Sequence, residues 1–522
     1  AVTSRDSGAW LADYFGLPRD FQSTLLFEPE ISNFFVDLDF YVGLDEWCDG
    51  LYFEIHAPIT RTKWNLNFCE TNITKGSTAH PEGYFGPIAV ETSSLLSSAT
   101  SYFSGQAPTI PDGSTVPLSI GSITFQPLKY SKFASKDCND LTETRLGDIE
   151  MALGYNLCCD EDYHIALSLR ASAPTGNDRC PDYLFSPLVG SGKHWKFGGG
   201  ISAHALLWTS EDEGCSFGIW MDANIQHLFE ADQKRTFDLA GKPNSRYMLA
   251  EKLGTTRRTN QLDGDSNAGV EWQNEYAPVA NLTTSCVTVD ANVEGNVAIK
   301  FAYMGDCMQI DAGYAFYGRS CEKIDCRSNT ALDGKTWALK GDAYVVGFAS
   351  FDETVTAIRL AATESSATIC SGTNGGLTTN LSIDNPTEAT ATNGSAEEIS
   401  VNTTTSGDTQ TRSSNPPIYL SSSDIGYNDN QTRLLSHTIF VHASYEWTAC
   451  NDWTPFIGVG ASYEFDGNDD ACDTSCSSSS SCSGGSCSTS SSSNSACTIS
   501  SSCCHDAAVN QWSVWFKGGI AF

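Results

Sequence analysis

Hydrophobic and polar residues alternate with a period of two along the last segment of the chain, residues 512–522. One alternate set is apolar throughout, whereas the other is small, polar or charged apart from Trp515. Such alternation is typical of a β-strand whose two faces meet different surroundings. We therefore predict that the chain ends with a two-faced strand that reaches Phe522.

Six pairs of earlier segments repeat this alternation, and a short polar turn joins the two members of each pair. The pairs are 35–44 with 51–60, 146–157 with 163–170, 196–209 with 216–228, 296–304 with 308–317, 341–351 with 354–363, and 437–448 with 453–465. Two alternating strands joined by a tight turn predict a β-hairpin. Because the hairpins recur at no fixed spacing, the pattern argues against a propeller or a solenoid.

Long connections separate the hairpins, and we predict that they are external loops. They lie near 66–144, 174–195, 229–293, 318–337, 364–433 and 466–510. Short turns that alternate with long loops are typical of bacterial outer-membrane barrels, whose short turns face the periplasm. If the final strand ends on that side, every tight turn also falls there. The sequence therefore predicts an all-β fold, a transmembrane antiparallel β-barrel with short periplasmic turns and long extracellular loops.

The number of strands follows less directly from the pattern. The six hairpins and the closing strand give thirteen strands, whereas a single-chain bacterial barrel takes an even number. We predict 14 strands, with 16 as the alternative, and seek the missing strand in 21–34, 66–144 or 229–293. We predict a short amphipathic helix within residues 1–20, which forms either a periplasmic segment or a plug. We predict that residues 21–522 form a single barrel domain.

Composition narrows the class of protein. The net charge is -33, and charged residues make up 18% of the chain. No stretch approaches the roughly 18–20 apolar residues of a membrane helix, which excludes a helical membrane protein but not a barrel. The acidic balance argues against nucleic-acid binding, which needs Lys and Arg. Because the chain begins at Ala1 without an apolar leader, we expect that an export signal has been removed.

The 20 cysteines indicate an oxidising compartment, and no CxxC pair that would suggest zinc occurs among them. We expect disulfides, with their connectivity left open. Five of the six tight turns carry cysteine, which predicts periplasmic cross-linking within the chain or to other envelope proteins. We predict that the serine-rich segment 466–505 is an external loop held together by disulfides. The candidate residues are Cys48, Cys158, Cys159, Cys215, Cys307, Cys450, Cys472, Cys476, Cys482, Cys487, Cys497, Cys503 and Cys504.

The alternation assigns charged residues to the inward faces of the strands. A Lys or Arg facing lipid at mid-depth would cost roughly 2–4 kcal/mol, so these residues must meet water or each other. The predicted pore-lining residues are Asp37, Asp39, Glu54, His56, Asp148, Glu150, His164, Arg170, Lys196, Asp222, Lys300, Asp311, Arg359, His442, Glu446, Glu464 and Lys517. A lumen lined by both signs suits a diffusion pore, and the acidic excess favours cations. In the alternative, the charges pair and fill a closed lumen.

Other candidate chemistry is weak. No GxSxG, HExxH, P-loop or Rossmann motif occurs, so we expect neither enzymatic activity nor a cofactor. The inward-facing His56, His164, His204 and His442 fit a polar wall better than a shared metal site. Outward aromatic residues near strand ends indicate interfacial girdles, namely Tyr155, Tyr163, Tyr303, Tyr314, Phe316, Tyr445, Trp447 and Tyr463.

The closing strand with its terminal Phe522, together with the hairpin pattern, resembles Gram-negative outer-membrane porins. The cysteine richness is similar to that of chlamydia-type major outer-membrane proteins, although the segment 466–505 departs from them. The resemblance implies a bacterial outer-membrane location, a disulfide-linked homotrimer, and a role for Phe522 as an assembly signal. We expect a porin for small hydrophilic solutes. The alternatives are a cross-linked structural envelope protein and a transporter for apolar compounds plugged by residues 1–30.

Overall fold

The structure is a computed structural model that describes most of the chain. The described residues are 8–110, 123–133, 141–160, 162–211, 214–258, 269–305, 307–329, 331–351, 354–372, 399–403, 410–414, 419–447, 454–466, 505–506 and 510–521. Their regular secondary structure is mainly β-strand, which confirms an all-β fold with a large antiparallel sheet. None of their helices is long and apolar enough to cross a membrane.

Twenty-five strands and two short α-helices make up the described fold. Up to residue 235, the strands are β1 (Gln22–Leu26), β2 (Glu30–Gly43), β3 (Leu51–Asn65), β4 (Cys69–Thr74), β5 (Thr124–Phe125), β6 (Leu141–Leu146), β7 (Ile149–Cys159), β8 (Tyr163–Ala173), β9 (Lys196–Thr209), β10 (Ser216–Leu228) and β11 (Ala231–Arg235). The later strands are β12 (Leu249–Arg258), β13 (Gly269–Pro278), β14 (Ser285–Asp290), β15 (Val293–Met304), β16 (Met308–Arg319), β17 (Lys323–Ser328), β18 (Trp337–Phe351), β19 (Thr354–Thr363), β20 (Ile399–Thr403), β21 (Gln410–Ser414), β22 (Thr432–Glu446), β23 (Thr454–Asp466), β24 (His505–Asp506) and β25 (Gln511–Ala521). The helices are α1 (Ala99–Phe103) and α2 (Val279–Thr283), and 3-10 turns cover Ala12–Phe15, Thr92–Ser94, Ser245–Tyr247, Ser422–Asp424 and Tyr427–Asn430.

A large curled antiparallel sheet, called the main sheet below, dominates the fold. Its strands follow the order β2-β3-β7-β8-β9-β10-β15-β16-β22-β23-β25, and the short strands β6 and β24 join β3 and β22. Five predicted hairpins lie in this sheet, each with the expected antiparallel register. The predicted closing strand is β25, which pairs with β23 and ends at the same edge as the tight turns. These strand predictions are confirmed.

The sixth predicted hairpin lies elsewhere. Segments 341–351 and 354–363 do pair, as β18 and β19, but they belong to a five-stranded sheet with β12, β13 and β5. The residues that begin β18, Trp337 to Leu339, are buried and pair with β12, so the hairpin is attached to a different core. As a result β16 pairs directly with β22, and neither 14 nor 16 strands is confirmed.

The two edges of the main sheet approach each other. Among the described residues, no backbone pairing joins edge strands β2 and β25. Lys517 of β25 nevertheless lies within electrostatic range of Asp39 on β2. The sheet is therefore strongly curled, with its two outermost strands on facing sides of one concave surface.

The two faces of the main sheet differ as the alternation predicts. The convex face exposes large apolar side chains from strand after strand. Examples are Leu153, Leu167, Leu169, Phe197, Ile225, Phe301, Ile310, Ile439, Val441, Ile457, Val459, Val514 and Phe516. The concave face carries polar, charged and small residues. Each strand thus separates two environments along its whole length.

The long connections fold into a second body, called the cap below, instead of remaining separate loops. Its core combines residues that are far apart in sequence, including Tyr14, Phe85, Phe103, Tyr247, Tyr276, Val287, Leu339, Ile369 and Ile425. Phe103 stacks on Phe133 with ring centroids 4.1 Å apart, and both rings contact Tyr247 edge-on. Aromatic residues in these connections therefore form a hydrophobic core, which the sequence analysis did not anticipate.

The N-terminal segment belongs to the cap. Residues Ala12–Phe15 form a 3-10 turn, Tyr14 and Leu17 are buried, and the Leu11 amide donates to the Ile369 carbonyl at 2.8 Å. The expected amphipathic α-helix is not formed here. The segment lies with the long connections, at the end of the main sheet opposite the tight turns. Within the predicted orientation that end is the external one, not the periplasmic one.

Candidate functional site

The concave face of the main sheet brings side chains from distant strands together. Tyr52 of β3 reaches past β7 and β8, and its hydroxyl lies close to Ser202 of β9. Its ring crosses Gly154, where an added Cβ would lie 2.0 Å from a ring atom. Gly460 has the same role beneath Trp515, whose indole would lie 2.4 Å from an added Cβ. Glycine at these positions lets large side chains lie flat and reach across the concavity.

An acidic cluster surrounds His56 on β2 and β3. The Nε2 atom of His56 lies 3.1 Å from Glu54 Oε1, and its Nδ1 lies 3.7 Å from Asp39 and 3.9 Å from Asp37. The antiparallel register sets Asp39 directly opposite His56. Donor atoms of Asp39, Glu54 and His56 lie within 4.8 Å of one another, and these types can coordinate divalent cations. Hydrogen bonding and charge attraction already account for the cluster, so we describe it as part of a polar wall.

Opposite charges pair further along the concave face. Arg170 of β8 reaches Asp222 of β10, with an Nη2 to Oδ2 distance of 3.4 Å. Asp311 of β16 is buried and accepts a hydrogen bond from His442 Nδ1 at 3.0 Å. The Lys300 ammonium lies 3.9 Å from the same carboxylate. These pairs lie across neighbouring or next-nearest strands, so the wall holds charges of both signs in fixed positions.

Nearer the cap, the concave face is more tightly packed. Lys196 Nζ donates to Glu294 Oε1 at 2.5 Å, and the Tyr317 hydroxyl donates to Glu294 Oε2 at 2.9 Å. Glu150 of β7 is within electrostatic range of Tyr317 on β16. Glu294 is not among the predicted inward residues, because the predicted strand begins at residue 296 whereas β15 begins at Val293. Continuing the alternation by one more step would have assigned Glu294 to the inward set.

Several predicted wall residues lie on the concave face of the main sheet, but not all of them meet. His164 and His204 form a cross-strand pair with ring centroids 4.4 Å apart, while His56 and His442 have separate acidic partners. Glu464 accepts a hydrogen bond from Gln511, and Glu446 and Lys517 are exposed near the tight turns. The four histidines therefore do not form one cluster.

Two predicted wall residues have other positions. Asp148 is buried at the break between β6 and β7, where its Oδ2 accepts from the Ser191 amide at 2.7 Å. It therefore anchors the connection between β8 and β9. Arg359 belongs to β19, outside the main sheet, because that hairpin joins the cap. Neither position follows from strand alternation, since both depend on contacts between distant segments.

The predicted cross-linking residues are partly described. Cys48, Cys158, Cys159 and Cys215 lie at the tight-turn end of the main sheet and carry free thiols. Cys307 lies in the turn between β15 and β16. The remaining candidates and the predicted assembly signal lie outside the described residues, namely Cys450, Cys472, Cys476, Cys482, Cys487, Cys497, Cys503, Cys504 and Phe522.

The cap contains a buried acidic residue of its own, Glu251 on β12. It pairs across the strands with Tyr276 and is 1% exposed. Burial raises the pKa of Glu251 to about 8, although the nearby Lys340 charge opposes the shift. Burial also lowers the pKa of His80, another cap residue, to about 4. Above the ordinary histidine pKa of about 6.5, His80 therefore contributes no further pH dependence.

We expect Glu251 to make cap stability fall as pH rises from about 6.5 to about 8. The folded cap holds the Glu251 proton more tightly than the unfolded chain does, so raising the pH favours unfolding. Glu251→Gln removes this ionisation, so the variant should lose less thermal stability than the wild type across the window. Melting temperatures at pH 6.5 and pH 8.5 measure the effect. Glu82→Gln, at an exposed cap position, is the control, and an unchanged pH slope in Glu251→Gln would contradict the assignment.

Comparison with protein-family models and with curated proteins gives no match for this chain.

Proposed function

We propose that this chain is a bacterial outer-membrane porin that lets small hydrophilic solutes and ions diffuse passively. In this proposal the main sheet closes into a transmembrane barrel, its convex face meets lipid, and its concave face meets water. The observation that carries the proposal is the separation of an exposed apolar face from a charged face along the same sheet.

The convex face supports a lipid environment. Ile225, Phe301, Ile439 and Phe516 come from four strands, and each remains between 47% and 80% exposed. Soluble monomers rarely expose contiguous apolar patches larger than a few hundred Å². Once β2 and β25 pair, as the proposal requires, the closed sheet would have its strand backbone groups paired and an apolar outer surface, the two requirements of a spanning structure. A bilayer therefore fits this surface better than water does.

The concave face supports passage of polar solutes. Some of its charges are paired loosely, with Arg170 to Asp222 at 3.4 Å and Lys300 to Asp311 at 3.9 Å. In the structure the inward set contains Glu294 but not Asp148, and Arg319 but not Arg359. Carboxylates still outnumber cationic side chains in this corrected set. An acidic wall raises the local concentration of cations. We therefore propose a weak preference for cations.

The alternatives predict different results. A cross-linked envelope protein is favoured by the exposed thiols of Cys48, Cys158 and Cys159 at one end of the sheet. Such a protein would be present in disulfide-linked complexes and would form no channels. The plugged transporter required residues 1–30 in the lumen, whereas the described part of that segment packs in the cap before entering β2. A homotrimer remains part of the proposal, and the mass of the detergent-solubilised assembly tests it.

Planar-bilayer recordings in a salt gradient test the porin proposal directly. We expect wild-type channels with a reversal potential of the sign that cation preference gives. The triple variant Asp37→Asn, Asp39→Asn, Glu54→Gln removes the acidic cluster around His56. Because local wall charge sets the counter-ion concentration, its cation-to-anion permeability ratio should fall about twofold.

The matched control is the triple variant Glu28→Gln, Glu82→Gln, Glu91→Gln, which removes the same charge from exposed positions outside the wall. It should leave the permeability ratio close to the wild-type value. Clear anion selectivity of the wild type would contradict the acidic-wall argument. Absence of channels from folded, lipid-inserted protein would refute the porin proposal and favour the structural alternative.

A further inference from the structure

Arg235 and Arg319 both contact Glu322 where the main sheet joins the cap, and Arg179 lies within electrostatic range of all three. Arg235 ends β11, Arg319 ends β16 on the inward face, and Glu322 follows in the turn to β17. Arg179 comes from the connection between β8 and β9. Three separate parts of the chain thus converge at one edge of the concave surface, on the side of the long connections.

Glu322 is the carboxylate that holds this group together. Arg235 contacts it through two nitrogens, with Nη1 to Oε2 at 2.7 Å and Nη2 to Oε1 at 3.2 Å. Arg319 Nη2 donates to the same Oε1 at 2.8 Å. Burial alone would raise the pKa of Glu322, but the hydrogen bond and charge of Arg235 outweigh it and hold the pKa below its usual range. Glu322 is therefore ionised, and one negative charge faces three positive ones.

Arg179 carries charge that the cluster does not neutralise. Its residue is exposed to solvent, and within the described part of the chain it has no hydrogen-bond or ion-pair partner. Desolvation by the surrounding protein, followed by repulsion from Arg235, lowers its pKa to about 10. The neighbouring Asp178 is directed to Lys193 instead, at 3.9 Å.

One further donor in the cluster also lacks an acceptor. Arg319 Nε is buried and donates to no acceptor among the described residues. His194 lies within electrostatic range of Arg319, Glu322 and Arg235. Its Nδ1 lies 2.8 Å from the Phe229 carbonyl, which is its hydrogen-bond partner. Burial lowers the pKa of His194, so it adds no charge near neutrality. The group thus has a surplus of guanidinium donors and of positive charge.

We propose that Arg179, Arg235 and Arg319 form a binding site for a small oxyanion of the phosphate type. Guanidinium groups bind phosphate oxygens through paired, charge-assisted hydrogen bonds, and several of them in one cluster favour a multiply charged anion. Arg179 supplies the unengaged donors, while Arg235 and Arg319 are held in place by Glu322. The site goes beyond the proposed pore, because it requires the anion to bind but not to pass through the sheet.

Titration of the purified full-length protein in detergent tests the site, with inorganic phosphate and pyrophosphate as probes at constant ionic strength. Isothermal calorimetry should detect saturable binding, with pyrophosphate tighter than phosphate because it carries more charge. Arg179→Gln should weaken binding about tenfold, the usual scale for losing a charge-assisted hydrogen bond. Arg179→Lys keeps the charge but loses the planar pair of donors. Its affinity should therefore lie between those of the wild type and Arg179→Gln.

The matched control is Arg145→Gln, which removes an exposed arginine of β6 whose acidic neighbour is Glu143 at 3.4 Å. It should bind the probes as the wild type does. Because Arg179 is exposed, its substitution leaves the fold intact, and equal melting temperatures verify this. Absence of saturable binding by the wild type, or equal affinity of wild type and Arg179→Gln, would overturn the proposal.

Bilayer recordings separate this proposal from that of the pore. If both hold, phosphate reduces the conductance of wild-type channels more strongly than that of Arg179→Gln channels. Saturable phosphate binding by a protein that forms no channels would retain the oxyanion site and refute the pore. Channels formed by a protein that does not bind phosphate would retain the pore and refute the site.

Discussion

Replacing Lys340 with methionine is expected to destabilise the cap by about 3–5 kcal/mol, the usual cost of breaking a buried ion pair. The Lys340 side chain is fully buried, and its ammonium lies 3.4 Å from Asp13, which is also buried. The same ammonium lies 3.8 Å from the centre of the Tyr84 ring. Methionine retains the approximate length of the side chain, so the main loss is the charge. Asp13 would then be a buried carboxylate without a compensating cation.

Thermal and denaturant unfolding in detergent, followed by tryptophan fluorescence, measures this loss because Trp10 packs against the cap core. Asp13→Asn combined with Lys340→Met should recover much of the stability, since no unpaired charge remains. Lys323→Met, at an exposed position of β17, is the control and should change stability by less than about 0.5 kcal/mol. A Lys340→Met protein as stable as this control would show that the pair does not hold the N-terminal segment in place.

Replacing Val441 with arginine is expected to prevent most of the protein from inserting into a bilayer. Val441 lies in the middle of β22 on the convex face and is 54% exposed. If that face meets lipid, an arginine there costs roughly 2–4 kcal/mol. If the face meets water, the same substitution changes stability by less than about 0.5 kcal/mol. The two environments therefore predict clearly different outcomes.

Folding into phospholipid vesicles, measured by the gel mobility of unheated samples and by protection from protease, distinguishes them. Ser444→Arg is the matched control, because it adds the same charge to the concave face of the same strand. The control should insert at a yield close to that of the wild type. Equal insertion of Val441→Arg and wild type would remove the argument that the convex face contacts lipid.

The cap changes what the long connections are expected to do. Buried rings from distant connections, such as Phe103, Phe133 and Tyr247, fix these segments in one body. The arginine cluster depends on this arrangement, because Arg179, Arg235 and Glu322 come from connections that are separate in sequence. A porin built this way would present a folded surface at its outer end, through which solutes must approach the charged wall.

The sequence by itself determined the hairpins and the two faces of each strand. Both depend on residues adjacent in the chain: a side-chain period of two and a turn of a few residues specify them locally. Contacts such as that of Arg170 with Asp222 require in addition only that β8, β9 and β10 lie in sequence order within the sheet. The alternation also assigned Val441 and Phe516 to the apolar face.

Only the tertiary structure decided which hairpins share a sheet and what the connections form. The β18–β19 hairpin has the same alternation as the others, yet buried contacts of Trp337 and Leu339 attach it to the cap and take Arg359 with it. Asp148 leaves the wall because it binds the backbone of a distant connection. Such choices depend on competition between long-range packing partners, and local periodicity is the same whichever partner is chosen.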